Sequence, residues 1–340
     1  MSAAARRRSV AALGLALFLA AASACTSGSA PGASRGSGAP AAPGSASESA
    51  FWVDPQSAAA RQVAAWEAQG RNGDAEVLRR IADRPAALWV PGGEPGPEIR
   101  RARAGAKAAG GRTLVLVAHN LPHRGCGPHA TGGAPDARAY RAWIGAFADA
   151  VAGDRALVIL EPEAVPHLIA GCTPAAHHAE RYRLLSEAVD RLKRNKNTKV
   201  YLDAGNPAWI PHPADLVGPL LKAGLARADG FALNVSGFQP DVPSRAYGAR
   251  LSKATRGKHF VIDTGRNGEG PLPGDRHQAW CNPPGRALGR PPGDRTGDPL
   301  VDAYLWIKRP GESDGTCRGG PHAGEWWPDY ALGLARRARQ

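Results

Sequence analysis

Seven short apolar runs rich in β-branched residues recur along the chain: AALWV (86–90), TLVLVAH (113–119), ALVILEP (156–162), KVYLDAG (199–205), GFALNVS (230–236), HFVIDTG (259–265) and AYLWIKR (303–309). Longer stretches with an apolar stripe at helical spacing precede the first run or separate most of the others, such as SAAARQVAAWEAQG, DARAYRAWIGAFADAVA and AERYRLLSEAVDRLKRN. Strands that are apolar almost throughout must be covered on both faces, so this alternation predicts a parallel sheet wrapped by helices. Seven or eight such βα units closing on themselves make a barrel. The expected class is α/β with a single catalytic-sized domain over 51–340.

What precedes residue 51 cannot contribute to that core. Residues 1–24 combine Arg6, Arg7 and Arg8 with a short apolar stretch and small residues, the pattern of an export signal peptide. Ala22-Ser23-Ala24-Cys25 resembles a bacterial lipobox, which makes Cys25 a candidate for lipidation; simple signal-peptidase cleavage nearby is the alternative. Residues 25–50 are rich in Ser, Gly, Ala and Pro with little to bury, and read as a tether. The expected location is outside the cytoplasmic membrane, lipid-anchored through Cys25 or secreted, with no other membrane contact.

Loss of the leader leaves 40 basic against 30 acidic residues, a formal charge of about +10. The basic residues are scattered and no recognition motif of aromatic and basic residues accompanies them, so nucleic-acid binding is excluded. Cys126, Cys172, Cys281 and Cys317 show no ligand spacing for zinc, and the adjacent His177 and His178 point in different directions on a helix. No metal and no cofactor are expected. In an exported chain four cysteines suggest disulfides, with three pairings open.

Six of the seven runs end on polar residues: His119-Asn120, Glu161-Pro162-Glu163, Asp203 to Asn206, Asn234 to Ser236, Asp263 to Asn267, and Lys308 with Glu312 and Asp314. One such loop is adequately explained by turns and caps. Six converging sets point to a site at the C-terminal ends of barrel strands.

The stretches FWVDPQSAAARQVAAW, LPHRGCG, VILEPEAV, YLDAGNPAW, LNVSGFQ, FVIDTGRNG, WCNPPGRALG and LWIKRPGESDGTC resemble, in order, the motifs of glycoside hydrolase family six, the inverting β-1,4-glucanases and cellobiohydrolases. The resemblance implies a distorted seven-stranded parallel (β/α) barrel and the disulfides Cys126–Cys172 and Cys281–Cys317. It implies a β-1,4-linked polysaccharide as substrate, Glu163 as the acid and Asp314 as the candidate base. Trp52, Trp209 and Trp280 match aromatic platforms, and Asn234, Lys308 and Glu312 match sugar-binding positions. An open cleft, without long roofing loops, implies endo action; we expect a monomer.

Inverting hydrolysis requires a protonated carboxylic acid at the leaving oxygen and a base-held water on the opposite face. Four positions depart from the family pattern. Glu163 stands for Asp, Gly125 for an Asp that keeps the acid protonated by like-charge repulsion, His119 for a Tyr, and Asn206 for a His. The absence of charge at Gly125 leads to the expectation that Glu163 has a lowered pKa. Glu161 is read as a buried structural carboxylate. The leading functional reading is an exported endo-acting hydrolase; the alternatives are a catalytically weak glycan-binding protein and a structural partner in a cell-surface polysaccharide system.

Overall fold

The computed structural model describes residues 49–126, 132–274 and 279–339. The signal peptide, Cys25 and nearly all of the tether lie outside the described residues. The chain runs α1 (Ala58–Ala68), α2 (Asn72–Ala82), β1 (Leu88–Val90), α3 (Gly96–Ala108), β2 (Leu114–Ala118), α4 (Ala137–Val151), β3 (Ala156–Leu160), α5 (Pro166–Ile169), α6 (His178–Lys193), β4 (Thr198–Asp203), α7 (Ala214–Lys222), β5 (Gly230–Leu233), α8 (Asp241–Ala254), β6 (His259–Asp263), β7 (Val301–Leu305) and α9 (Pro328–Arg337). All seven strands pair in parallel with their sequence neighbours, in the order β1 to β7. The sheet curls into a distorted barrel whose first and last strands meet by isolated bonds. Ala87 donates its N–H to the Trp306 carbonyl at 2.9 Å, and the Trp89 indole donates to the Ile307 carbonyl at 2.7 Å.

Strand alternation sorts the apolar residues into two layers. Val115, Val117, Leu157, Ile159, Tyr201, Ala232, Val261, Ala303 and Leu305 form the barrel interior. Leu116, Val158, Leu202, Phe231 and Ile262 face the surrounding helices. Both layers are closely packed. At Gly230 an added Cβ would fall 2.0 Å from the His259 carbonyl oxygen, so only glycine permits β5 and β6 to pair there.

The βα alternation breaks once, after β6. The described residues between 264 and 300 cross to β7 without a helix, and the layer there is supplied by elements from early and late in the domain. Trp66 of α1, Leu78 and Ile81 of α2, and Leu332 and Leu334 of α9 form one cluster with Leu288 and Trp306. This irregular crossing leaves a long loop free to build one wall of the site. The disulfides Cys126–Cys172 and Cys281–Cys317 are both formed, and each ties a loop of the C-terminal strand face to its neighbour.

Candidate active site

Three buried carboxylates at strand ends hold the rim together. Glu161, after β3, accepts the Asn120 and Leu121 amides at 2.9–3.0 Å. Asp203, ending β4, accepts the Glu163 amide at 2.6 Å and the Gly205 amide at 2.9 Å. Asp263, ending β6, accepts the amides of Ser236, Gly265, Ile307 and Lys308. Each carboxylate satisfies backbone donors of a neighbouring loop that the sheet leaves unpaired. Burial pushes Glu161 and Asp203 up to about 7. Backbone strain gathers on the same rim. Among the described residues, eight non-glycine residues have positive φ, and His123, Glu161, Glu163, Asn234, Ser236 and Asn282 are six of them.

Glu163 lies on the wall formed by the β2, β3 and β4 loops. A φ of 69° turns its side chain away from the strand, and 48% of that side chain remains exposed. Although open to the cleft, it is surrounded by protein mass that raises its pKa, and the negative charge of Asp314 raises it further; Lys308 and Arg124 act in the opposite direction. With glycine at position 125, burial and the Asp314 charge still hold the Glu163 carboxyl above its ordinary value. His119 stands close by, edge-on to Trp89 at 5.2 Å. Burial, then the Arg124 charge, pushes His119 down to about 3, so its imidazole is neutral at any working pH.

The opposite wall comes from the β6 and β7 loops. Asp314 Oδ2 accepts from Arg266 Nη1 at 2.7 Å and from the Asn282 amide at 3.0 Å, while Oδ1 lies 3.9 Å from Lys308 Nζ. Arg266 is 1% exposed and also donates to the Ser236 carbonyl, with its guanidinium over the Phe238 ring. Lys308 donates to the Ser313 carbonyl at 3.0 Å and lies 3.9 Å from Glu312, which pairs with Arg309 at 2.5 Å. Asn282, next to the Cys281–Cys317 disulfide, accepts the Asp314 amide in return. Among the described residues no group of three or more His, Cys, Asp or Glu side chains is placed to hold a metal ion.

Not every residue expected at the site reaches it. Trp52 is 8% exposed and packs in the core against Gly105 of α3, where an added Cβ would come within 2.7 Å of its ring, so it offers no face to a sugar. Asn234 is fully buried; its amide donates to the Gln239 and Asp263 carbonyls and its oxygen accepts the Gln239 amide, which makes it a loop brace rather than a sugar contact. The Asn206 oxygen caps the turn by accepting the Ala208 and Trp209 amides. Trp209 is half-buried with an edge toward His167, and Trp280 is 62% exposed. Two residues at the site were missed in the sequence. Trp89 is partly buried against the barrel interior beside His119, and its position near the C-terminal end of β1, with an inward direction, was the available signal. His167 is 3.7 Å from Glu163, and the i, i+4 spacing on one helical turn was the signal there.

The model of glycosyl hydrolases family 6 matches residues 46–338. The chain belongs to that family. Among the family's members, it is 40% identical over 294 residues to Endoglucanase A of Cellulomonas fimi, covering 86% of this chain and 62% of that protein. Endoglucanase 1 of Streptomyces halstedii is 40% identical over 292 residues, covering 83% and 87%. The solved structure of the endoglucanase Cel6 from Mycobacterium tuberculosis, in complex with methyl-cellobiosyl-4-deoxy-4-thio-β-D-cellobioside, superposes with a TM-score of 0.78 at 43% identity over 85% of this chain and 97% of that one. This family 6 chain thus spans less than two thirds of the first of these relatives and nearly all of the solved one.

Proposed function

We propose that the protein is an exported, endo-acting hydrolase of a β-1,4-linked glycan, with Glu163 as general acid and Asp314 as the carboxylate that receives the water's proton. The observation that carries this reading is the pairing of a half-open carboxyl with a raised pKa and a buried, ion-paired carboxylate within electrostatic reach across the cleft. Glu163 donates its proton to the glycosidic oxygen as the bond from that oxygen to the anomeric carbon breaks. Water attacks the opposite face of that carbon and loses a proton to Asp314, so the configuration inverts. Trp209 and Trp280 supply ring faces for pyranose units, and Lys308 and Glu312 supply polar contacts. The relatives named endoglucanases, and the thio-oligosaccharide in the M. tuberculosis structure, support this substrate class.

The test is reducing-sugar release from soluble β-1,4-glucans, run beside calorimetric titration with cello-oligosaccharides. Glu163→Gln is expected to lower the rate by about 10²–10⁴-fold with binding retained. Equal rates for the two proteins would remove Glu163 from the acid role. Gly125 and His119 favour a second reading, a glycan-binding protein of low activity, which predicts binding without release for the wild type as well. Lipid anchoring at Cys25 would place the domain on the outer face of the membrane. Cys25→Ser should then shift it from the membrane fraction to the medium or leave it unprocessed, and identical partitioning of both forms would exclude the anchor.

A further inference from the structure

His167 begins the turn after Glu163, is 6% exposed, and is fixed from several directions. Its amide donates to the Glu163 carbonyl at 2.9 Å, and its own carbonyl accepts the amides of Cys172 and Thr173. Trp209 meets the ring edge-on at 5.5 Å. Nδ1 lies 3.2 Å from the carbonyl oxygen of Arg124, the residue before Gly125. A carbonyl can only accept, so the neutral ring carries its proton on Nδ1, and Nε2 presents a lone pair. That lone pair faces Glu163 Oε2 at 3.7 Å. A change in the Glu163 side-chain torsions closes the roughly 1 Å that separates this contact from a hydrogen bond.

A lone pair beside a carboxyl oxygen repels the carboxylate and accepts from the carboxylic acid, so it favours the protonated form. We infer that neutral His167 is a positioning residue that accepts the proton of Glu163 at Nε2 and keeps the acid loaded, in place of the charge absent at Gly125. The inference rests on Glu163 being the acid. The ring is suited to it because burial lowers the pKa of His167, and the nearby Arg181 charge lowers it further. Burial favours the proton on Glu163; among the charged groups around it, Asp314 from the β7 loop and Asp203 from β4 act in the same direction, while Lys308 from the β7 end and Arg124 from the β2 loop oppose it. Facing His167 are Arg181 of α6, Arg124 and His119 of the β2 end, and Glu163 itself.

Ring nitrogen NMR shifts of the wild type test the tautomer directly: protonation on Nδ1 is expected, and an Nε2–H form overturns the inference. Carboxyl NMR titration then reads Glu163. In His167→Asn, which keeps a donor for the Arg124 carbonyl but has no acceptor at the Nε2 position, the midpoint is expected to fall by about one pH unit. His167→Gln, with an amide oxygen near that position, should recover most of the shift. The alkaline limb of kcat/KM should move with the midpoint while the acid plateau stays within about twofold. An unmoved midpoint, or a uniform loss of rate with an unmoved limb, overturns the inference. If the folded wild type hydrolyses no β-1,4-glucan, the acid reading fails separately, and the two NMR measurements still decide the contact. If His167→Asn does not fold, the titration is read in His167→Leu, which has no acceptor facing Glu163 and is expected to lower the midpoint likewise, an unmoved midpoint there overturning the inference.

Discussion

On the β6–β7 wall of the cleft, the side chains of Asp314, Arg266, Lys308 and Glu312 are largely covered and joined to one another or to backbone groups. On the β2–β4 wall, the pKa values of Glu163, Asp203, His119 and His167 are displaced toward the neutral form, chiefly by burial. Both walls rest on the same device, a strand-end carboxylate that accepts loop amides. They differ in what the protein does with charge. A network of fixed ions suits a group that must orient water, whereas neutralised acids and bases suit a group that must give up a proton. All four departures from the family pattern, at His119, Gly125, Glu163 and Asn206, fall on the second wall.

The largest effect that would break this comparison is structural. Arg266→Met should strand Asp314 with only partial compensation from Lys308 and lower stability by about 3 kcal/mol in urea unfolding. Adding Asp314→Asn should restore much of that loss, since the buried charge is then gone. A loss below about 1 kcal/mol for the single variant would mean that the β6–β7 wall is not held by its ion pair.

A smaller effect is expected on the opposite wall. Gly125→Asp places a negative charge near an acid whose pKa is already raised, so the protonated form should persist to higher pH. The alkaline limb of kcat/KM should move upward by less than about one unit. Movement downward would show that the β2 loop acts on the acid by shape rather than by charge.

The smallest effect separates the tryptophans. Trp280→Ala should weaken cello-oligosaccharide binding by about 1 kcal/mol, roughly fivefold, whereas Trp52→Phe should leave binding unchanged and lower the melting temperature. Weakened binding in Trp52→Phe at unchanged stability would return Trp52 to the cleft.

Trp52 and Trp89 show where the sequence was legible and where it was not. FWVDP and AALWV each place a Trp beside apolar residues, and nothing local says which indole faces a core and which a cleft. That outcome depends on α3 bringing Gly105 against Trp52, and on β1 ending with Trp89 directed inward. Asn234 misled for a related reason: a polar residue ending a strand reads as a site residue, but a φ of 61° folds its amide back onto the loop. The missing helix after β6 was likewise hidden, because the layer there is filled by elements from early and late in the domain.

The sequence by itself determined the strands, their parallel order and the carboxylates at their ends, because hydrophobic periodicity and strand-end chemistry are local properties. Only the tertiary structure decided which of those carboxylates is spent bracing a loop and which is left facing the opposite wall. Glu161 and Glu163 are two residues apart in one motif, yet Glu161 is sealed beneath the β2 loop and Glu163 opens toward Asp314 from a distant part of the chain. Desolvation and Coulomb interaction depend on the protein mass and charge gathered around a group in space, and folding alone brings these together.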